Sequence, residues 1–254
     1  PLKFASTPDV SLGGGGKAAL RMGHGQSSDE SPLLEEVQSY TEEWASVDAL
    51  VQSGSGRHKE HYRCGLRMTR LWRVLRSPAL GAYEEQARRL GRPTRLFHGT
   101  APENVESIVK DGFRLPENAG YFGRGIYFAD CPLKSANFCS RRSVSLVSFL
   151  RVWSTKGLAA AIKPMKRAET GQMLMCDVYL GKSRELRRSA ATFEPEVDLK
   201  AGPVRQLFGL GDYDSVYAPG GSIWWTAVRV PEYVVYRPEQ AVPQYVIEFQ
   251  REDI

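Results

Sequence analysis

The sequence predicts an α+β domain behind a short leader, and three observations point there. Short stretches with alternating or continuous apolar character, Ile126–Phe128, Glu232–Tyr236 and Gln244–Phe249, read as strands. Helix signals stand between the strand signals at uneven intervals, a spacing that suits α+β better than a doubly wound parallel sheet. Residues 1–30 are rich in Gly, Ser and charge, carry no apolar period, and read as a flexible leader to a domain spanning 31–254.

Gly16-Lys17 does not make a phosphate-binding loop, because Ser11 and Ala18 stand where that loop needs Gly and Ser or Thr. Ser31-Pro32 supplies a cap and a proline at the first helical position. Leu33, Val37, Tyr40, Trp44, Val47 and Val51 then recur at alternating steps of four and three, the stripe of a packing helix that Ser53–Arg57 ends as a loop. Tyr62–Arg76 fits two periods, an arginine helix face or a strand with Leu66, Met68, Trp72 and Val74 on one side; it is read as a strand. Ser77-Pro78 caps a helix with Leu80, Tyr83, Ala87 and Leu90 inward and Gly91 as its stop. Thr94–Phe97 is a strand, and Thr100–Glu103 a capping box for a helix through Val105, Ile108 and Val109 that Gly112 terminates. Met173–Tyr179 is a strand ended by Gly181. Phe193–Gly221 reads mostly as loops and short turns, and Ser222–Val228 as a strand.

A hydrophobic content of 42% over 254 residues is enough for a sizeable core. The net charge of +5 fits a solvated basic surface, and also partners such as nucleic acid or a dinucleotide pyrophosphate. Cys64, Cys131, Cys139 and Cys176 form no CxxC pair and read as reduced thiols, and the lone His58/His61 pair as polar surface, so no metal is expected. No apolar run approaches the ~18 residues that span a bilayer, and the amino end has no signal-type apolar core. The expectation is a nuclear or cytoplasmic protein without a membrane partner. Segment 140–170 sets Arg141, Arg142, Arg151, Lys156, Lys163, Lys166 and Arg167 against Glu169 around an apolar 144–153 patch; it reads as a solvated basic insertion or as a surface for nucleic acid or a partner protein.

Candidate chemistry gathers around Gly123–Asp130 and the residues after it. Gly123 and Gly125 permit positive φ or close backbone approach, and Tyr127 on the strand that follows offers a flat floor. Pro132 opens a short helix that lifts Lys134, Ser135 and Phe138 beside that floor. Two rings, a hydroxyl and bare backbone suit a flat heterocycle bearing an amide. Upstream, His98-Gly99-Thr100 sits where a strand end meets a helix start, a polar corner of the kind that holds ligands. Taken alone, His98 is more often a structural histidine.

In this order, His98-Gly99-Thr100, Gly123-x-Gly-Ile-Tyr127-Phe-Ala, Lys134-Ser135 and Glu232-Tyr-Val-Val-Tyr236 together resemble the catalytic domain of the poly(ADP-ribose) polymerases. Within that family, residues 172–183 and 236–245 look like core strands of tankyrase-type domains. The resemblance implies an ADP-ribosyltransferase fold, split antiparallel sheets around an NAD cleft with flanking helices, and a His98, Tyr127, Glu232 triad. It implies that His98 bonds a ribose hydroxyl on the adenosine side. Gly99 and Ser135 clasp the nicotinamide amide, Tyr127 and Phe138 stack on its ring, and Thr100, Asn104 and Arg114 meet the adenosine half. Glu232 steadies the positive charge left when nicotinamide departs, and Lys134 holds Glu232 or the pyrophosphate. Transfer of ADP-ribose to protein acceptors, the chain itself among them, is implied, with single and repeated transfer both open.

The chain departs from the family pattern in four places. Phe138 replaces a second tyrosine. Val230 stands where chain-extending relatives often have an aromatic residue. Segment 140–170 lacks the Cys and His of a tankyrase zinc site. The leader is too short and polar for an autoinhibitory helical domain.

Overall fold

A computed structural model of the chain describes residues 4–5, 33–75, 80–139, 170–221, 226 and 228–253. Segment 140–169, which holds nearly all of the basic insertion, lies outside the described residues, as does most of the leader.

The described strands form two sheets. The larger has six strands: β1 (Phe4–Ala5), β2 (Leu34–Glu36), β3 (Cys64–Val74), β4 (Thr94–Gly99), β6 (Thr170–Val178) and β10 (Ala241–Asp253), in the order β1-β2-β3-β10-β6-β4. The smaller has four: β5 (Ile126–Phe128), β7 (Ser183–Glu185), β8 (Ser215–Ala218) and β9 (Glu232–Val235), in the order β5-β9-β8-β7. All pairings are antiparallel except β1 with β2 and β7 with β8. The helices are α1 (Glu42–Gly56), α2 (Lys59–Tyr62), α3 (Leu80–Leu90), α4 (Pro102–Asp111), α5 (Pro132–Ala136), α6 (Pro195–Asp198) and α7 (Pro203–Leu207). This is the α+β arrangement of split, largely antiparallel sheets that the sequence led us to expect.

Alternation decides how the large sheet is buried. On β6, Met173 and Met175 face one side with Val47 and Val51 of α1 and Leu133 and Ala136 of α5. Leu174, Cys176 and Val178 face the other, with Val105, Ile108 and Val109 of α4. A sheet apolar on both faces is covered by helices on both, so short continuous apolar runs stand in for strict alternation. Pro243 is accommodated in the central strand β10 because the register with β6 shifts between Pro243 and Tyr245, where a missing N–H breaks no regular ladder bond.

Several expectations need correction. The apolar stripe from Leu33 was read as one helix, but Leu34–Glu36 pairs with Val74–Trp72 as a strand, and the helix starts at Glu42. Thr41 is the true cap, its hydroxyl accepting from Trp44 N at 3.2 Å with Glu42 and Glu43 in the first turn, so only Trp44, Val47 and Val51 belong to the helical stripe. Tyr40 stands exposed. The glycine-rich Ser53–Arg57 is not a loop until its end: α1 runs to Gly56, because Gly54 packs directly on the segment leading into α5, where a Cβ would come within 2.7 Å of Asp130 O and 2.8 Å of Pro132 Cδ.

On β3, Leu66 and Met68 do not share a face with Trp72. Arg70 opposes Glu248 and Met68 opposes Phe249, leaving Thr69 as an extra bulged residue that inverts the alternation beyond it. Thr100 is not the cap of α4 either. Ala101 occupies that position ahead of Pro102, and the Thr100 hydroxyl accepts from Asn104 Nδ2 at 2.9 Å. Within Phe193–Gly221, read mostly as loops and short turns, lie the short elements α6, α7 and β8, and β7 precedes them. Ser222–Val228, expected as a strand, falls mostly outside the described residues. Among the described residues no helix is long and apolar enough to cross a membrane.

Candidate active site

The site forms where β4 of the large sheet and β5 of the small one come together. Phe97 and Ala129 exchange backbone hydrogen bonds at 2.8 and 3.0 Å, a short bridge that joins the sheets beside the cleft. This bridge sets His98 on β4 next to Tyr127 on β5, and His98 Nδ1 lies 2.8 Å from Tyr127 O. A carbonyl can only accept, so Nδ1 carries the proton and Nε2 keeps its lone pair. The rings of Phe113 and Phe128 pack on the imidazole at 5.1 and 5.4 Å. Burial pushes the His98 pKa down to about 4, while the bond to Tyr127 O pulls the other way. Neutral His98 therefore offers one fixed acceptor nitrogen around neutral pH.

Gly99 and Ser135 meet at backbone distance. A Cβ on Gly99 would stand 1.8 Å from Ser135 O, so no side chain fits between β4 and α5. Ser135 is buried, and its hydroxyl donates to Phe97 O at 3.1 Å, leaving the oxygen lone pairs as acceptors. Phe138, past the end of α5, is 47% exposed, as the outer wall of a cleft would be.

Tyr127 is fixed at its far end. Its hydroxyl donates to Gly123 O at 2.8 Å and accepts from Phe122 N at 2.9 Å. Gly123 has φ 78°, and a Cβ on Gly125 would lie 2.3 Å from Val234 Cγ1, so one glycine supplies positive φ and the other close approach.

Glu232 begins β9 and is buried. Its Oε1 lies 2.8 Å from Lys134 Nζ, which also donates to Val230 O at 2.8 Å. Its Oε2 is shielded from solvent yet has no hydrogen-bond partner among the described residues. Burial lowers the Lys134 pKa, an effect that the Glu232 charge opposes. The Tyr121 phenol is pushed up to about 12, first by burial and then by the Glu232 charge. Tyr127 and Tyr62 are raised for the same two reasons, Tyr62 also by Cys131, so Glu232 acts on phenols from three parts of the chain.

The structure thus joins His98 to Tyr127, Gly99 to Ser135, and Lys134 to Glu232. Thr100 and Asn104 pair with each other, Asn104 exposed on the first turn of α4. Arg114 is exposed and held to Asp111 at 3.2 Å, one residue from the Phe113 ring that packs on His98. Glu239 lies in a 3-10 turn and Glu248 accepts from Thr69, so neither competes with Glu232. Sequence reasoning missed Tyr121, Tyr62, Phe113 and Phe128. Only Tyr121 and Phe128 lie within or beside a motif that could have flagged them.

A sheet-to-sheet seam with a tyrosine floor, a glycine–serine contact and a buried carboxylate defines a domain of the ADP-ribosyltransferase fold. A family model described as the poly(ADP-ribose) polymerase catalytic domain matches residues 41–205. The chain belongs to this family, whose members use NAD as substrate. The poly(ADP-ribose) polymerase 2-B of Oryza sativa subsp. japonica is 24% identical over 241 residues, covering 86% of this chain and 34% of that protein. Poly(ADP-ribose) polymerase 2 of Homo sapiens is 29% identical over 178 residues, 61% of this chain and 26% of that protein. A poly(ADP-ribose) polymerase tankyrase of Caenorhabditis elegans is 25% identical over 182 residues, 61% of this chain and 7% of that protein. The chain therefore spans about a third or less of the length of these relatives.

Proposed function

We propose that this domain cleaves the bond between nicotinamide and ribose in NAD and passes the ADP-ribosyl group to a protein acceptor, the chain itself included. One observation above all supports the reading: Glu232 has one oxygen anchored on Lys134 and the other buried without a partner among the described residues. An unsatisfied, shielded carboxylate oxygen is costly unless a ligand completes it, and a ribose 2′-hydroxyl donating to Oε2 would do so.

In this mechanism Tyr127 stacks on the nicotinamide ring with Phe138 as the outer wall. Gly99 backbone and Ser135 hold the carboxamide, with the Ser135 oxygen free to accept from the amide NH2. Neutral His98 accepts through Nε2 from a ribose hydroxyl on the adenosine side, near Thr100, Asn104 and Arg114. The glycosidic C–N bond breaks, nicotinamide leaves with the electron pair, and positive charge grows on the ribose. The fixed Glu232 charge opposes that cation, an electrostatic effect worth about 3 kcal/mol. The acceptor then attacks, its proton drawn away by Glu232 or water.

The domain runs over 31–254 in this proposal, supported by the central strand β10 ending only at Asp253. Tankyrase-type kinship, repeated transfer, a nuclear or cytoplasmic site of action, and nucleic-acid contact through segment 140–170 belong to the same proposal. Against repeated transfer stands Val230, a small residue whose side chain is buried. NAD labelled in its adenylate half tests the whole reading. Label on protein with nicotinamide released is the expected result. A bound but intact dinucleotide would leave a binding module without turnover. A smear of modified protein on a gel would mark repeated transfer, and a sharp band single transfer.

A further inference from the structure

We propose that Tyr236 is a positioning residue for the Tyr127 ring, acting through the backbone of Phe122. The inference rests on the reading of Tyr127 as the floor of the nicotinamide subsite and adds what holds that floor in place. The backbone of one residue is caught between two phenols: Tyr236 Oη donates to Phe122 O at 2.7 Å, and Phe122 N donates to Tyr127 Oη at 2.9 Å. Tyr127 Oη in turn donates to Gly123 O at 2.8 Å, which closes the chain of bonds on the same turn. Phe122 has 0% exposure, so no water replaces either partner.

Packing holds the same turn from outside. The Tyr236 ring stacks on Phe193 with centroids 5.3 Å apart and planes 22° apart. The turn lies against that stack wherever it has no side chain: a Cβ on Gly123 would lie 2.4 Å from Phe193 O, and one on Gly125 would lie 3.0 Å from Tyr236 Cε1. Tyr236 and Phe193 thus form a back plate, Phe122 is the spacer, and the Tyr127 ring is the face presented to ligand. Burial keeps the Tyr236 phenol well above its ordinary pKa, so it remains the donor throughout the accessible range. Loss of the Tyr236 hydroxyl strands a buried carbonyl and lets the Phe122 backbone shift as a whole, which withdraws its N–H from Tyr127.

The test uses the full chain and benzamide, a planar aryl carboxamide that probes the nicotinamide subsite alone. Titration calorimetry on wild type, Tyr236→Phe, Tyr127→Phe and the double variant gives a closed cycle. Tyr236→Phe keeps the stacked ring and is expected to weaken benzamide about fivefold, which corresponds to about 1 kcal/mol. The double variant is expected to bind no worse than the weaker single variant, since both remove links of one chain. A control, Val216→Ala, thins the same apolar cluster without touching the hydrogen bonds, and should lower the unfolding temperature with benzamide affinity unchanged. Unchanged affinity in Tyr236→Phe, multiplied effects in the double variant, or an equal loss in the control would each overturn the inference while leaving the nicotinamide reading intact. Failure of the wild type to bind benzamide would overturn both.

Discussion

Lys134 Nζ stands 2.8 Å from Glu232 Oε1 and 2.8 Å from the carbonyl of Val230, two residues before the acid and just ahead of its strand. The lysine therefore fixes both the carboxylate and the backbone that carries it. Both side chains are nearly enclosed, at 12% and 11% exposure, so the pair belongs with buried ion pairs, whose rupture costs more than their formation gains.

Lys134→Met should consequently destabilise the domain by about 3 kcal/mol, because it leaves a buried charge unpaired. Adding Glu232→Gln to that variant should restore part of the loss. Urea unfolding of both variants measures the difference, and a double variant less stable than Lys134→Met would show that the lysine is held by something other than the acid.

Glu232→Gln alone preserves shape and removes the charge. Transfer from NAD should fall about 10²–10³-fold with NAD affinity nearly unchanged, the loss expected when one preorganised electrostatic partner of the transition state is removed. Single-turnover release of nicotinamide is the measurement. Turnover equal to wild type would mean that another residue opposes the developing charge.

Gly99→Ala introduces a methyl group 1.8 Å from Ser135 O, a backbone atom that cannot rotate away. The strand and α5 must part, and the variant should lose benzamide and NAD binding together and be destabilised by about 2 kcal/mol, as overpacked interiors are. Calorimetric titration beside thermal unfolding checks this, and an affinity within twofold of wild type would show that the two elements can separate without disturbing the subsite.

The depressed pKa of His98 has a sign that can be tested. Its folded value of about 4 lies below the ordinary 6.5, so between these pH values the unfolded chain takes up a proton that the folded chain refuses. The neutral imidazole contributes stability fully above pH 6.5 and loses it as pH falls toward 4, and ligand binding through Nε2 should not fall off as a free imidazole protonates near 6.5. Thermal unfolding across this range in wild type and His98→Gln should show a shallower pH dependence in the variant. Identical slopes would place the titration elsewhere.

Much of the site could be read because its motifs are local. Gly123 and Gly125 both proved necessary, one for its φ and one for its contact with Val234, and α5 begins at Pro132 and carries Lys134 and Ser135 as read. The short cap signals misled where tertiary pairing prevailed. Leu34–Glu36 became a strand because β3 offers it a ladder, and Thr100 lost its cap role because Pro102 places the helix start one residue later. Trp72 changed face through the bulge at Thr69, an irregularity visible only from the partner strand.

The sequence by itself determined the residue types of the cleft, their order and the family, because glycine, proline and strand signals act within a few residues of each other. Only the tertiary structure decided that Lys134 meets Glu232 across 98 positions, and that the hydroxyls of Tyr127 and Tyr236 close on the N–H and the C=O of one residue, Phe122. Those contacts depend on the pairing of β5 with β9 and on how β4 and β5 are joined by the Phe97–Ala129 bridge, and a periodicity along the chain carries no record of a distance across it.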